Sequence, residues 1–173
     1  MRDAVLLGAR LLLGSYMGIH ASQKLWGKFH GPGLDGIGPV FEKHGLTPGR
    51  EMAMAAAATE IAGGVLTITG IASPAGPLAV AGAMSVAAAH NREGGLMAAR
   101  GGVELPVAYV TLALTLAATG PGKYKIGPEL PGRLAALGAL AGGTAAGAII
   151  AKMVTSKPAP PEPITENFPA AGQ

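Results

Sequence analysis

The chain has 173 residues, of which 49% are hydrophobic and 13% charged, about half the charged share usual in a soluble domain. Its net charge is only +3 and it has no cysteine, which excludes disulfides, thiolate catalysis and a dithiol relay carried by this subunit. No basic run with interleaved aromatics is present, so no nucleic-acid partner is expected. The apolar residues, mostly Ala, Leu, Val and Ile, come in blocks separated by Gly, Pro and the few charges. Blocks of roughly 20 residues match a bilayer, where each must be helical to satisfy its own backbone hydrogen bonds. The predicted fold class is all-α: a transmembrane four-helix bundle with a fifth, C-terminal transmembrane helix.

The first apolar segment covers residues 3–24 and contains Arg10 and His20. A secretory signal peptide is the competing reading, but Arg10 interrupts the apolar stretch and Lys24, Trp26 and Lys28 stand where a cleavage site belongs. A retained helix is predicted. Residues 27–46 are rich in Gly and Pro and read as a surface loop, with a short amphipathic piece over 39–45. Thr47 is placed as an N-cap with Pro48 in the first helical turn. The second helix then runs through Glu60 to Thr69, and Gly70 suits the position after its end. A tight turn follows at residues 73–77. The third segment runs from 78, or from 74 if its first turn is counted, to His90.

Residues 91–102 are polar and read as a flexible connection. The fourth helix spans 103–119, with Glu104 and Pro106 in its first turn and Gly120-Pro121-Gly122 after it. The fifth, residues 134–153, carries Gly138/Gly142 and Gly143/Gly147, two pairs with the spacing that lets helices approach closely in lipid. The proline-rich residues 157–173 read as a disordered tail. Three regions result: 1–126 as a four-helix unit, 127–156 as the added helix, and the tail.

Five crossings place the termini on opposite sides. On the N-terminal side, side A, lie Arg2, Lys123, Lys125 and Arg133; the other eight cations outside the bilayer lie on side B. The positive-inside rule makes side B cytoplasmic.

Ionisable groups within spanning helices are costly and need a partner or a purpose. Arg10 and Glu60, on antiparallel neighbours, form the structural ion pair expected from this. A second group converges at side B, because the first and third helices end there while the second and fourth begin there. His20, Gln23 and Lys24 share one broad face of the first helix. With His90 and Glu104, and Glu60 deeper, they form a polar mouth whose members are candidates for ligand binding or proton exchange. Each has a plain structural alternative: Lys24 as a snorkelling anchor, His90 and Glu104 as complements to helix dipoles. No catalytic residue and no metal is assigned, since no spacing is a metal motif. His20 and His90, on facing helices, have a depth that permits axial haem ligation, and nothing in the sequence demands it.

The strings ARLLLG (9–14) and GIHASQKLWG (18–27) resemble the opening of DoxX-family membrane proteins. FEKHGLTPG (41–49), TEIAGGVLTITG (59–70), His90, GVELP (102–106) and GPGKY (120–124) continue the resemblance over residues 5–126. It implies a four-helix bundle in the plasma membrane of a bacterium and family polar positions at Arg10, His20, Gln23, Lys24, Glu60, His90 and Glu104. Some members of the family look like membrane subunits of quinone-linked sulfur oxidation, and others are implicated in redox-stress complexes with soluble enzymes. Lys125-Ile126-Gly127 stands where a serine-leucine-aspartate run is usual, so nothing is carried over for that aspartate.

Two readings stand. In one the chain is a subunit of a redox membrane complex that binds a quinone in the mouth, with a soluble partner supplying electrons because this chain has no cysteine, flavin or iron–sulfur motif. A membrane subunit of an oxidoreductase system fits that better than a standalone enzyme. In the other it is a non-catalytic anchor or assembly subunit, meeting its protein partner or a second copy through the glycine-rich last helix. Membrane lipid surrounds it in either case. A small transporter is disfavoured because the chain is short and has no inverted repeat.

Overall fold

The computed structural model describes residues 1–155, and the predicted disordered tail lies outside them. The described residues form six α-helices and two short 3₁₀ turns, with no strand among them. The helices are α1 Arg2–Trp26, α2 Gly33–Lys43, α3 Gly49–Thr69, α4 Ala75–His90, α5 Glu104–Thr119 and α6 Gly132–Thr155. Of these, α1, α3 and α6 are long and apolar enough to cross a membrane. The 16-residue α4 and α5 are about 24 Å long. They extend alongside the longer helices in an all-helical membrane bundle.

Contacts at the helix ends settle the up–down order. Asp3 accepts a hydrogen bond from the Lys123 amide, and Arg2 donates to the Thr119 carbonyl, so α5 finishes on side A beside the start of α1. The His90 ring, at the end of α4, meets His44 beyond α2 on side B. Residues 126–130 run back along the α3–α4 turn through bonds from Ile126 to Thr69 and from Leu130 to Ser73. From there α6 descends beside α4.

The bundle core is built from Leu13, Met17, Val80, Met84, Ala113 and Leu116. Its closest helix contacts depend on glycine. A methyl added at Gly64 would stand 3.0 Å from the Gly14 carbonyl oxygen and 3.1 Å from Met17, both on α1; one at Gly63 would stand 3.1 Å from Val80 on α4. Adjacent glycines therefore let α3 approach a different neighbour on each side. That is the use of small residues in lipid, where packing, rather than the hydrophobic effect, holds helices together.

The sequence reading needs three local corrections. The amphipathic piece is an 11-residue helix that begins at Gly33, with Pro39 inside it. Its length comes from a tertiary contact, since Gly38 is buried against the backbone at Gly49 and Arg50. Thr47 does not cap α3: Pro48 occupies the cap position without a side-chain bond, and the Gly49 amide donates instead to Glu42 of α2 at 3.1 Å. Residues 91–102 contain two 3₁₀ turns rather than an unstructured link. Gly70 closes α3 at φ 74° as expected.

Candidate functional site

Lys24 and Glu60 form the centre of the side-B cluster, with Nζ and Oε1 2.6 Å apart. Side chains on a helix lean toward its N-terminus. Lys24 on α1 therefore leans into the membrane, and Glu60 on the antiparallel α3 leans out toward side B, so they meet. The same lean separates the expected Arg10–Glu60 pair. Arg10 points to side A and donates to four carbonyls: Thr67 at 2.9 Å, Pro121 at 2.7 Å, Tyr124 at 2.6 Å and Ile68. No carboxylate is needed, because two of these carbonyls belong to the C-terminal end of α3, the negative end of its dipole. Arg10 is a buried clamp tying α1 to α3 and to the α5–α6 connection.

Around the Lys24–Glu60 pair the imidazoles are arranged in two layers. His20, on α1, meets the Tyr109 ring of α5 edge to face at 5.6 Å, and Tyr109 in turn packs on Tyr16 at 5.4 Å. His90 meets His44 edge to face at 4.5 Å. The His44 Nδ1 lies 2.8 Å from the Val40 carbonyl; as the donor in that bond it leaves Nε2 as the free nitrogen. Among the described residues, three side-chain atoms are buried without a hydrogen-bond partner: His20 Nε2 and Glu60 Oε2 in this cluster, and Thr67 Oγ1 near Arg10. Glu60 is 2% exposed, and buried polar atoms are almost always paired.

Two predicted members also hold loops, and Gln23 stays within hydrogen-bonding reach of the His20 ring. The Gln23 amide donates to the Phe29 carbonyl at 3.2 Å and holds the loop that folds back over α1. Glu104 accepts from the Ala98 amide at 2.9 Å, which ties the second 3₁₀ turn to the start of α5. The structure thus pairs Lys24 with Glu60, sets His20 against Tyr109 and His90 against His44, and uses Gln23 and Glu104 to hold the connecting loops. His44 and Tyr109 are the members that sequence reasoning missed. His44 lies within the FEKHG string just past a short helix, and only the position of that helix under the bundle aims it at His90. Among the described residues no group of three or more His, Cys, Asp or Glu is placed to hold a metal ion.

The glycine pairs of α6 do not bring helices together within the chain. Methyl groups added at Gly138, Gly142, Gly143 and Gly147 would meet nothing within 4 Å. These residues instead line a groove of about 620 Å³ between α6 and the α4–α5 pair.

The family model for DoxX matches residues 5–91, half of the chain. The chain belongs to the DoxX family. No curated protein and no solved structure matches it. The matched part of this DoxX protein contains Arg10, His20, Lys24, His44, Glu60 and His90, while α5 and α6 lie beyond it.

Proposed function

We propose that this DoxX protein is a membrane subunit of a quinone-linked redox complex and that the side-B cluster receives the quinone head group. The observation that carries the reading is the pair of buried, unpartnered atoms, His20 Nε2 and Glu60 Oε2, in the cluster built on the Lys24–Glu60 pair. An intramembrane ionisable group is a site by default, and here its free valences match a redox pair. A quinone offers carbonyl acceptors, which suit the Lys24 ammonium and His20 as an N–H donor. A quinol offers hydroxyl donors, which suit Glu60 Oε2. A bound quinone would supply two-electron, two-proton chemistry. This chain would bind and orient the ring, with His20 holding a proton near the oxygen and Glu60 accepting one from the other face. His90 and His44 form the path toward the side-B surface. Gln23 and Glu104 shape the mouth through the loops they hold.

The electrons come from a soluble partner, since the chain has no cysteine and, among the described residues, no group of three or more His, Cys, Asp or Glu placed to hold a metal ion. Residues 1–126 are the working unit, and residues 127–156 add a helix that meets lipid or another subunit. A bacterial plasma membrane, where such quinones dissolve, is the location this implies. The same polar network would suit a silent assembly subunit if both unpartnered atoms were structural, and the test separates the two. Trp26 is the single tryptophan and lies at the side-B end of α1, where a bound quinone quenches it. Decylubiquinone titrated into the purified protein in nanodiscs should quench Trp26 saturably. His20→Phe keeps a ring against Tyr109 and removes Nε2, and it should weaken the binding by about tenfold, the value of one hydrogen bond. Quenching that never saturates, or is identical in the variant, leaves only the assembly role.

A further inference from the structure

The groove between α6 and the α4–α5 pair shares no lining residue with the polar cluster. Its lining runs along α6 from Ala135 to Ile150, a length of about 22 Å, which fits inside the hydrocarbon layer. The only polar side chain in the lining is Ser85, whose hydroxyl is bonded at 2.8 Å to the Ala81 carbonyl of its own helix. The groove therefore offers nothing to a polar ligand, and apolar space of this kind excludes water. An arginine at the side-A end of the groove, Arg133, unpaired among the described residues, favours an occupant that joins an apolar chain to an anionic head group. The glycines explain the width, because side chains at Gly138, Gly142 and Gly147 would point into open space that the chain leaves unfilled.

We infer that this groove is a binding site for one acyl chain of a membrane phospholipid, with the lipid phosphate beside Arg133 on side A. Arg133 is exposed in the first turn of α6, two residues before the lining begins at Ala135, and it makes no ion pair among the described residues. Lys152, near the other end, already has an interaction of its own. A guanidinium is the side chain best matched to a phosphodiester. The lipid thereby becomes the filling between α6 and the rest of the bundle, doing what a buried side chain does elsewhere.

The test uses the full-length protein in nanodiscs of phosphatidylcholine and phosphatidylglycerol, doped with a phospholipid bearing a diazirine on its acyl chain. Cross-links are expected on residues 78–85 and 138–147, about tenfold over the outward-facing Leu134, Leu137 and Leu140. Native mass spectrometry after detergent exchange should find one phospholipid retained per chain. Gly138→Leu/Gly142→Leu should cut that retention by about tenfold, and Arg133→Gln should lower it for phosphatidylglycerol. Cross-links spread evenly over α6, a prenyl quinone recovered in place of phospholipid, or α6 cross-linked to a second copy would each overturn the inference. The map made on the unsubstituted protein decides the matter even if a variant does not fold.

Discussion

Arg10 and Lys24 occupy opposite ends of one helix and are neutralised in different ways. Arg10, 2% exposed, is held by carbonyl oxygens from α3 and from the chain after α5, and the planar fork of a guanidinium can reach several acceptors at once. Lys24, a point charge, takes a single carboxylate. Breaking such a pair from one side is severe, because it strands a charge. Lys24→Met is expected to lower stability by about 3–5 kcal/mol, and Lys24→Met/Glu60→Leu to recover most of that. Thermal unfolding of both variants in the same detergent checks this, and a double variant no better than the single would show that the pair is not a closed unit. The residue types at Arg10, His20, Lys24, Glu60 and His90 were legible in the sequence as groups that need a reason in lipid. The pairing was not, because it depends on the direction in which each side chain leans.

At the level of helices, the same small residue has opposite uses. Gly14 and Gly64 meet across α1 and α3, while Gly138, Gly142, Gly143 and Gly147 face open space. Gly64→Leu is expected to destabilise the bundle by about 1–3 kcal/mol or more, as overpacking does. Gly142→Leu, which meets nothing and improves helix propensity, should be neutral or stabilising by up to about 1 kcal/mol. Circular dichroism melts of the two variants would decide, and equal destabilisation would mean that α6 packs as tightly as α3. Helix existence was readable from apolar blocks and helix ends from Gly70. The start of α2 and the capping of α3 by Glu42 were not, since both arise from one segment folding against another.

For the molecule as a whole, the end contacts define an alternating path from Arg2 on side A to Thr155 on side B. Because the chain has no cysteine, single cysteines report topology without background. Phe29→Cys and Lys123→Cys should label with impermeant maleimide from opposite faces of intact cells and inverted vesicles, with Phe29 on the cytoplasmic face if positive charge sets the orientation. Labelling of both from one face would remove the alternating path, and with it the convergence of α1, α3 and α4 on one mouth. The Lys24–Glu60 pair, the His44–His90 contact and the lipid-facing groove all follow from that arrangement.

The sequence by itself determined the solvent, the helices and the family. Apolar blocks of bilayer length, few charges and the ordered DoxX strings are properties of the chain read along its length. It also marked which polar residues had to be explained, because an ionisable group in lipid is conspicuous without any coordinates. Only the tertiary structure decided what each one does. Arg10 clamps carbonyls, Glu60 holds Lys24, Gln23 and Glu104 hold loops, and the glycines of α6 border a groove. Partner choice depends on side-chain direction, helix separation and depth, and these exist only once helices distant in sequence are set side by side.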